Sequence, residues 1–152
     1  MMTYKVKLVS QAHSIAWGIV VLICILTQAA IFFPLSNKSL GIPLTVLEVA
    51  LGIFFWQKFV TGWTEWKIED DRITISWTKR FAFSELKDYI FEWKDIDKVW
   101  QGMDPGYYNL KFKFKSGETI SFYHASFGTD DFTELIPILY QTFDDKKKLQ
   151  ST

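Results

Sequence analysis

No lysine, arginine, aspartate or glutamate occurs between Leu8 and Asn37. Within that stretch Ile15–Leu35 reads IAWGIVVLICILTQAAIFFPL. At about 1.5 Å of rise per residue it reaches roughly 30 Å, the thickness of a bilayer's hydrocarbon layer. A buried helix of a soluble core is the competing interpretation. A chain of 152 residues has little left over to wrap such a helix on all sides. A transmembrane helix is therefore predicted over about residues 12–35.

A second apolar run, IPLTVLEVALGIFFW over Ile42–Trp56, continues to Val60. Glu48 interrupts it and Lys58 lies near its end. Pro43 suits a first helical turn, where its missing N–H costs nothing, and Lys58 can reach the headgroups. Trp17, Trp56 and Trp63 resemble interfacial anchors. A second helix is expected over about 42–61, so residues 1–63 form a helical hairpin turning at Ser36–Gly41. Lys5 and Lys7 precede the first helix, Lys38 lies in the turn, and Lys58, Lys67 and Arg72 follow the second. That balance favours a multi-pass inner-membrane protein with both termini in the cytoplasm. A cleaved signal peptide ending near TQAA is the alternative, but the apolar run continues past that site.

Glu48 is the one ionisable residue deep in this hairpin, where a carboxylate is costly and faces the bundle interior. Antiparallel pairing about the turn sets it at the depth of Thr27–Ala30, so Gln28 is its expected partner. The pair is either a hydrogen-bonded lock on the hairpin or a site of proton-linked or partner recognition.

Lys and Arg number 17, as do Asp and Glu. Zero net charge removes the electrostatic case for nucleic acid. One cysteine, Cys24, excludes a disulfide framework and a cysteine-rich metal site.

From Thr64 onward the pattern alternates. Trp66 and Ile68 precede Asp70-Asp71, and Ile73, Ile75 and Trp77 follow. Pairing Ile68 with Ile73 and Trp66 with Ile75 puts the apolar residues on one face. Tyr89, Phe91 and Trp93 alternate next, with Ile96 and Val99 after a break at Lys94-Asp95. Tyr108–Phe114 is the clearest strand and Thr119–His124 its partner. A two-residue turn between them would oppose Lys113 and Ile120. A three-residue loop, Lys115-Ser116-Gly117, opposes Phe112 with Ile120 and Leu110 with Phe122, and predicts a left-handed Gly117.

The chain ends in a helix with the stripe Phe132, Leu135, Ile136, Leu139 and Phe143. Thr129, Asp130 and Asp131 are its capping candidates, and Asp131 with Glu134 can form a capping box. Pro137 should bend this helix unless it starts late. Residues 146–152 read as a solvated tail.

At WKIEDDRITISW, IFEWKDIDKVW, YYNLKFKFKSGETISFYH and FGTDDFTELIPILYQTF, residues 64–143 resemble the bacterial pleckstrin-homology-like (PH-like) membrane proteins. The Trp93, Asp95, Ile96, Val99 spacing is the most telling piece. The resemblance implies an α+β fold, with residues 64–145 forming a bent antiparallel sheet or barrel closed by a C-terminal amphipathic helix. It also implies scaffolding, peptide binding or membrane association without catalysis. The first hairpin loop, Glu69-Asp70-Asp71-Arg72, departs from the basic loop of lipid-binding relatives and makes a poor phosphate cradle.

Residues that carry chemistry are sparse. His124 shares the inward face of its strand, opposite Tyr108, and reads as a half-buried, hydrogen-bonded residue. His13 lies at the expected membrane edge. Asp95 and Asp97 lack a third oxygen ligand for a cation, and no phosphate loop is present. Lys111, Lys113 and Lys115 share one side of the strongest strand, either facing anionic lipid or guarding the sheet from edge pairing. Trp100, Met103 and Tyr107 flank GMDPG, read as a loop, and form either an exposed partner patch or part of the core.

The expectation is a non-catalytic scaffold with no cofactor and no metal, binding the bilayer and a protein partner. It would bind by strand addition at a sheet edge or in a groove beside the last helix. The alternatives are a small accessory or neutralising (immunity-like) subunit that contacts another membrane protein through the hairpin, and an inner-leaflet lipid binder.

Overall fold

The computed structural model describes residues 2–32, 38–81, 84, 86–104, 107–125 and 130–150. The chain divides into a helical unit, Ser10–Thr61, and a sheet unit made of Met1–Val9 with Gly62–Thr152.

The helical unit holds α1 (Gln11–Phe32) and α2 (Lys38–Phe55), followed by a π-helical turn, Trp56–Val60. Ser10 starts α1: its Oγ accepts from the His13 amide at 3.4 Å and lies 2.6 Å from His13 Nδ1. The Thr61 hydroxyl closes the π turn by donating to the Gln57 carbonyl at 2.6 Å. Thr27 likewise returns its hydroxyl to the Ile23 carbonyl at 2.8 Å, satisfying a polar side chain within an apolar helix. Trp17 and Phe55 meet with ring centroids 5.8 Å apart.

Among the described residues, one helix is long and apolar enough to cross a membrane. Over Gln11–Ala29 its mean hydropathy is 1.8 and none of it is buried. Two such helices were expected. α2 forms, but its eighteen residues reach about 27 Å, and Lys38, Pro43 and Glu48 all fall within them. α2 starts upstream of the expected turn boundary, so Pro43 sits in its second turn and leaves the Ser39 carbonyl without its usual helical donor. Residues 33–37, the rest of the expected turn, lie outside the described residues.

The sheet unit is α+β: a seven-stranded antiparallel sheet with a C-terminal helix. Its strands are β1 (Met2–Val9), β2 (Thr61–Ile68), β3 (Arg72–Lys79), β4 (Tyr89–Glu92), β5 (Ile96–Asp104), β6 (Tyr107–Phe114) and β7 (Thr119–Ala125), and α3 spans Phe132–Gln150. The order across the sheet is β4-β3-β2-β1-β7-β6-β5.

β1 corrects the expected extent of the hairpin, residues 1–63, at its N-terminal end. Residues 2–9, assigned to the membrane hairpin, form the middle strand of the sheet. Val6 and Leu8 are fully buried in its core, while Lys5 and Lys7 alternate with them. The period of two is visible in TYKVKLV, but the lysines read equally well as the flank of a membrane helix.

The hairpin registers follow the apolar pattern. Ile68 opposes Ile73 and Trp66 opposes Ile75. Phe112 opposes Ile120 and Leu110 opposes Phe122. Gly117 takes φ 93°, and its amide donates to the Phe114 carbonyl at 2.9 Å, closing the three-residue loop. A 3₁₀ turn, Trp93–Asp95, separates β4 from β5. Trp66, Phe91, Phe112 and Phe122 form an aromatic cluster in which the Trp66 and Phe122 centroids lie 5.1 Å apart, edge to face.

Phe132, Leu135, Leu139 and Phe143 of α3 are buried against this core, with Ile136 partly so. Pro137 lies inside the helix. α3 runs to Gln150, so Lys146–Gln150 of the expected tail is helical. Lys147 and Lys148 in its last turn complement the negative end of the helix dipole.

Candidate binding surfaces

A groove of about 210 Å³ opens where the C-terminal half of α3 crosses the β4–β5 connection. Its floor is Trp93, Ile96 and Phe143, its cationic rim Lys115, Lys146 and Lys147, and Asp97 lies at one side. Trp93 is locked by a hydrogen bond from its Nε1 to the Glu69 carbonyl at 2.9 Å. Lys115 is held by its own amide, which donates to the Asp95 carbonyl at 2.8 Å. Lys147 lies over the Phe143 ring at 5.8 Å. Asp97 is paired with Lys113 at 3.5 Å.

Beyond Lys115 a hollow of about 400 Å³ has the opposite character. Glu92, Asp95 and Glu118 line it beside the exposed Ile90 of edge strand β4. The edge of β5 is partly closed, because the Gln101 amide donates to the Tyr140 hydroxyl of α3 at 2.5 Å.

The expected lysine stripe is divided. Lys111 and Lys113 face outward from β6, opposite Trp100 and Lys98, with Lys98 over the Trp100 ring at 5.6 Å. Lys115 falls past the end of β6 and lines the groove instead. The expected patch is divided too. Gly102–Asp104 belongs to β5 rather than to a loop, which puts Trp100 and Tyr107 on one face and Met103, 74% exposed, on the other. Pro105 and Gly106 lie outside the described residues.

Gln28 and Glu48 line one groove of about 580 Å³ between α1 and α2, together with Cys24, Thr45 and Gly52. The Gln28 amide nitrogen is buried there without a hydrogen-bond partner. The two helices bring the expected pair to one groove, but not into a bond that satisfies Gln28.

His124 stands opposite Tyr108, on the inner face. Its Nε2 lies 2.9 Å from Asp130, and its ring stacks on Phe132 with centroids 4.1 Å apart. Asp130 also accepts from the Lys7 amide at 2.7 Å and the Phe132 amide at 3.4 Å. Burial pushes the Asp130 carboxyl up. The His124 hydrogen bond, the Lys7 amide, the His124 charge and the Phe132 amide outweigh it and hold the group below the usual carboxylate range. Asp131 carries the helix start: its carbonyl accepts the first α3 bond from Leu135, and its carboxylate turns to the Lys5 amide at 2.7 Å rather than into the expected capping box. Thr129, the third expected cap, lies outside the described residues.

Among the described residues no group of three His, Cys, Asp or Glu side chains is disposed to hold a metal. Asp97 goes to Lys113, and Arg72 closes the acidic β2–β3 turn on itself through Glu69 at 2.7 Å.

Neither a family model, nor a curated protein, nor a solved structure matches this chain.

Sequence reasoning named a groove beside the last helix but missed the residues that line it and the bond from the Gln101 amide to the Tyr140 hydroxyl. Lys146 and Lys147 read as tail, although they lie three and four residues beyond Phe143, the helical spacing that brings them beside its ring. The Asp130 partner of His124 had a signal as well, a carboxylate six residues on at a helix start.

Proposed function

We propose that this chain is a membrane-anchored, non-catalytic binding module of the PH-like kind, with α1 and α2 in the bilayer and the sheet unit presented to a protein partner in the cytoplasm. One observation carries the reading. β1 and β2 are neighbours in one sheet, and everything between them is α1, α2 and their short connections. A chain that crosses a bilayer through α1 must cross back before β2, and α2 is the segment available for the return. The exposure of Val46, Leu47, Val49, Ile53 and Phe54 on α2 supports the same reading, since apolar residues all round a helix call for an apolar solvent. Glu48 is then the costly exception on the return helix. The lysine balance favours the cytoplasm for both ends.

Alkaline carbonate extraction tests the anchor. The full chain should stay in the membrane pellet, and Cys24, midway along α1, should resist a membrane-impermeant maleimide until detergent is added. Recovery of the folded chain in the carbonate supernatant would overturn the proposal.

A second reading, an accessory subunit that grips another membrane protein through its hairpin, is favoured by the unsatisfied Gln28 amide in the groove it shares with Glu48. In lipid such a group gains from a partner's polar side chain. Glu48→Leu with Gln28→Leu should abolish co-purification of such a partner while leaving the sheet unit folded.

A further inference from the structure

We propose that the groove beside α3 binds an acidic peptide segment of the partner protein, with one apolar side chain seated on Trp93 and Phe143 and the carboxylates facing Lys115, Lys146 and Lys147. This rests on the binding-module reading above. The volume, about 210 Å³, falls below the roughly 300–1,000 Å³ of small-molecule pockets. It suits a single side-chain anchor on a longer segment.

The charge pattern selects the segment's sign. Three cations line the groove, and its one lining carboxylate, Asp97, is already engaged by Lys113. Asp144 and Asp145 are exposed on the same helix and lie outside the lining. The pattern also limits where the acids can lie. Across Lys115 the adjoining hollow carries Asp95 and Glu118, with Glu92 paired to Lys94, so a segment acidic throughout would be repelled there by Asp95 and Glu118. The acidic part lies along α3, and a neutral or basic continuation runs toward β4. Strand addition at the middle of β5 would first have to displace Tyr140 from Gln101, which leaves the groove as the more open surface.

The test uses the full chain in nanodiscs of neutral phosphatidylcholine and fluorescence anisotropy of a labelled peptide. The peptide carries one phenylalanine followed by Asp-Glu-Asp, and its twin carries Asn-Gln-Asn instead. The acidic peptide should bind at least tenfold tighter than its twin, and more weakly as salt rises. Lys146→Glu with Lys147→Glu should weaken it at least tenfold. Lys115→Glu, in a surface turn that tolerates it, should act in the same direction. Lys87→Glu, exposed and outside the groove, should leave binding unchanged.

Equal binding of the two peptides, or unchanged binding by the groove variants, would overturn the proposal. So would phosphatidylglycerol vesicles, instead of the peptide, binding in a Lys146- and Lys147-dependent manner, since the occupant would then be a lipid headgroup. Failure of peptide binding in a chain that still resists carbonate extraction removes the groove assignment alone. Release by carbonate removes the anchored-module reading.

Discussion

His124 Nε2 lies 2.9 Å from both carboxylate oxygens of Asp130, with the two side chains 8% and 3% exposed. The pair joins three elements, because Asp130 also takes the Lys7 amide of β1 and the Phe132 amide that opens α3. Asp130 is held below its ordinary range, so it contributes stability above its unfolded value of about 3.9. That contribution is lost as pH falls through the lower folded value. Thermal melts of the full chain in detergent should show the sheet unit weakening below about pH 4. Asp130→Asn should flatten that acid limb and cost about 2 kcal/mol at neutral pH. An acid limb that Asp130→Asn leaves unaltered would contradict this.

Leu8 is 1% exposed in the middle strand. Leu8→Ala should destabilise the sheet unit by about 2–5 kcal/mol, read as a lower melting temperature. Leu149→Ala, at a site 72% exposed, should be near neutral. Equal effects would mean that the N-terminal residues are not part of the core.

The Tyr140 hydroxyl closes one backbone donor on the outer edge of β5. Tyr140→Phe should speed hydrogen exchange at the Gln101 amide at least tenfold and leave the interior Phe112 amide unchanged. Protection that persists in the variant would show that the edge is closed by other means.

Gly117 needs φ 93° for the loop that fixes the β6–β7 register. Gly117→Ala should cost about 1 kcal/mol, and Gly117→Asn less, since asparagine tolerates this region. Denaturant midpoints would rank the three. An alanine variant as stable as the parent would mean that the loop can change its conformation.

Periodicity was informative wherever one face of an element meets the core. Ile68 with Ile73, Phe112 with Ile120, and the Phe132–Phe143 stripe were legible because a one-residue slip would send every apolar side chain to the wrong face. β1 was not legible as a strand, because Lys5 and Lys7 serve equally as a sheet's outer face and as a membrane flank. The Lys146–Gln150 turn read as tail because an exposed, charged helical turn carries no apolar period. Of the candidate surfaces, Glu48, Gln28 and the basic and aromatic residues of β5 and β6 could be named one by one. Their grouping could not, since Lys115 leaves its strand's face at the turn and Met103 points away from Trp100. Both outcomes depend on where β6 and β5 end, and local composition does not set that.

The stitching of β1 to β2 around α1 and α2 also has a consequence during synthesis. The first strand leaves the ribosome before either helix, yet its neighbours β2 and β7 are made only after both. If α1 and α2 insert as proposed, then once the late strands close around β1 the two helices cannot turn over in the bilayer without unzipping the sheet. A protein inserted this way would keep a single orientation for its lifetime, latched by the domain it carries.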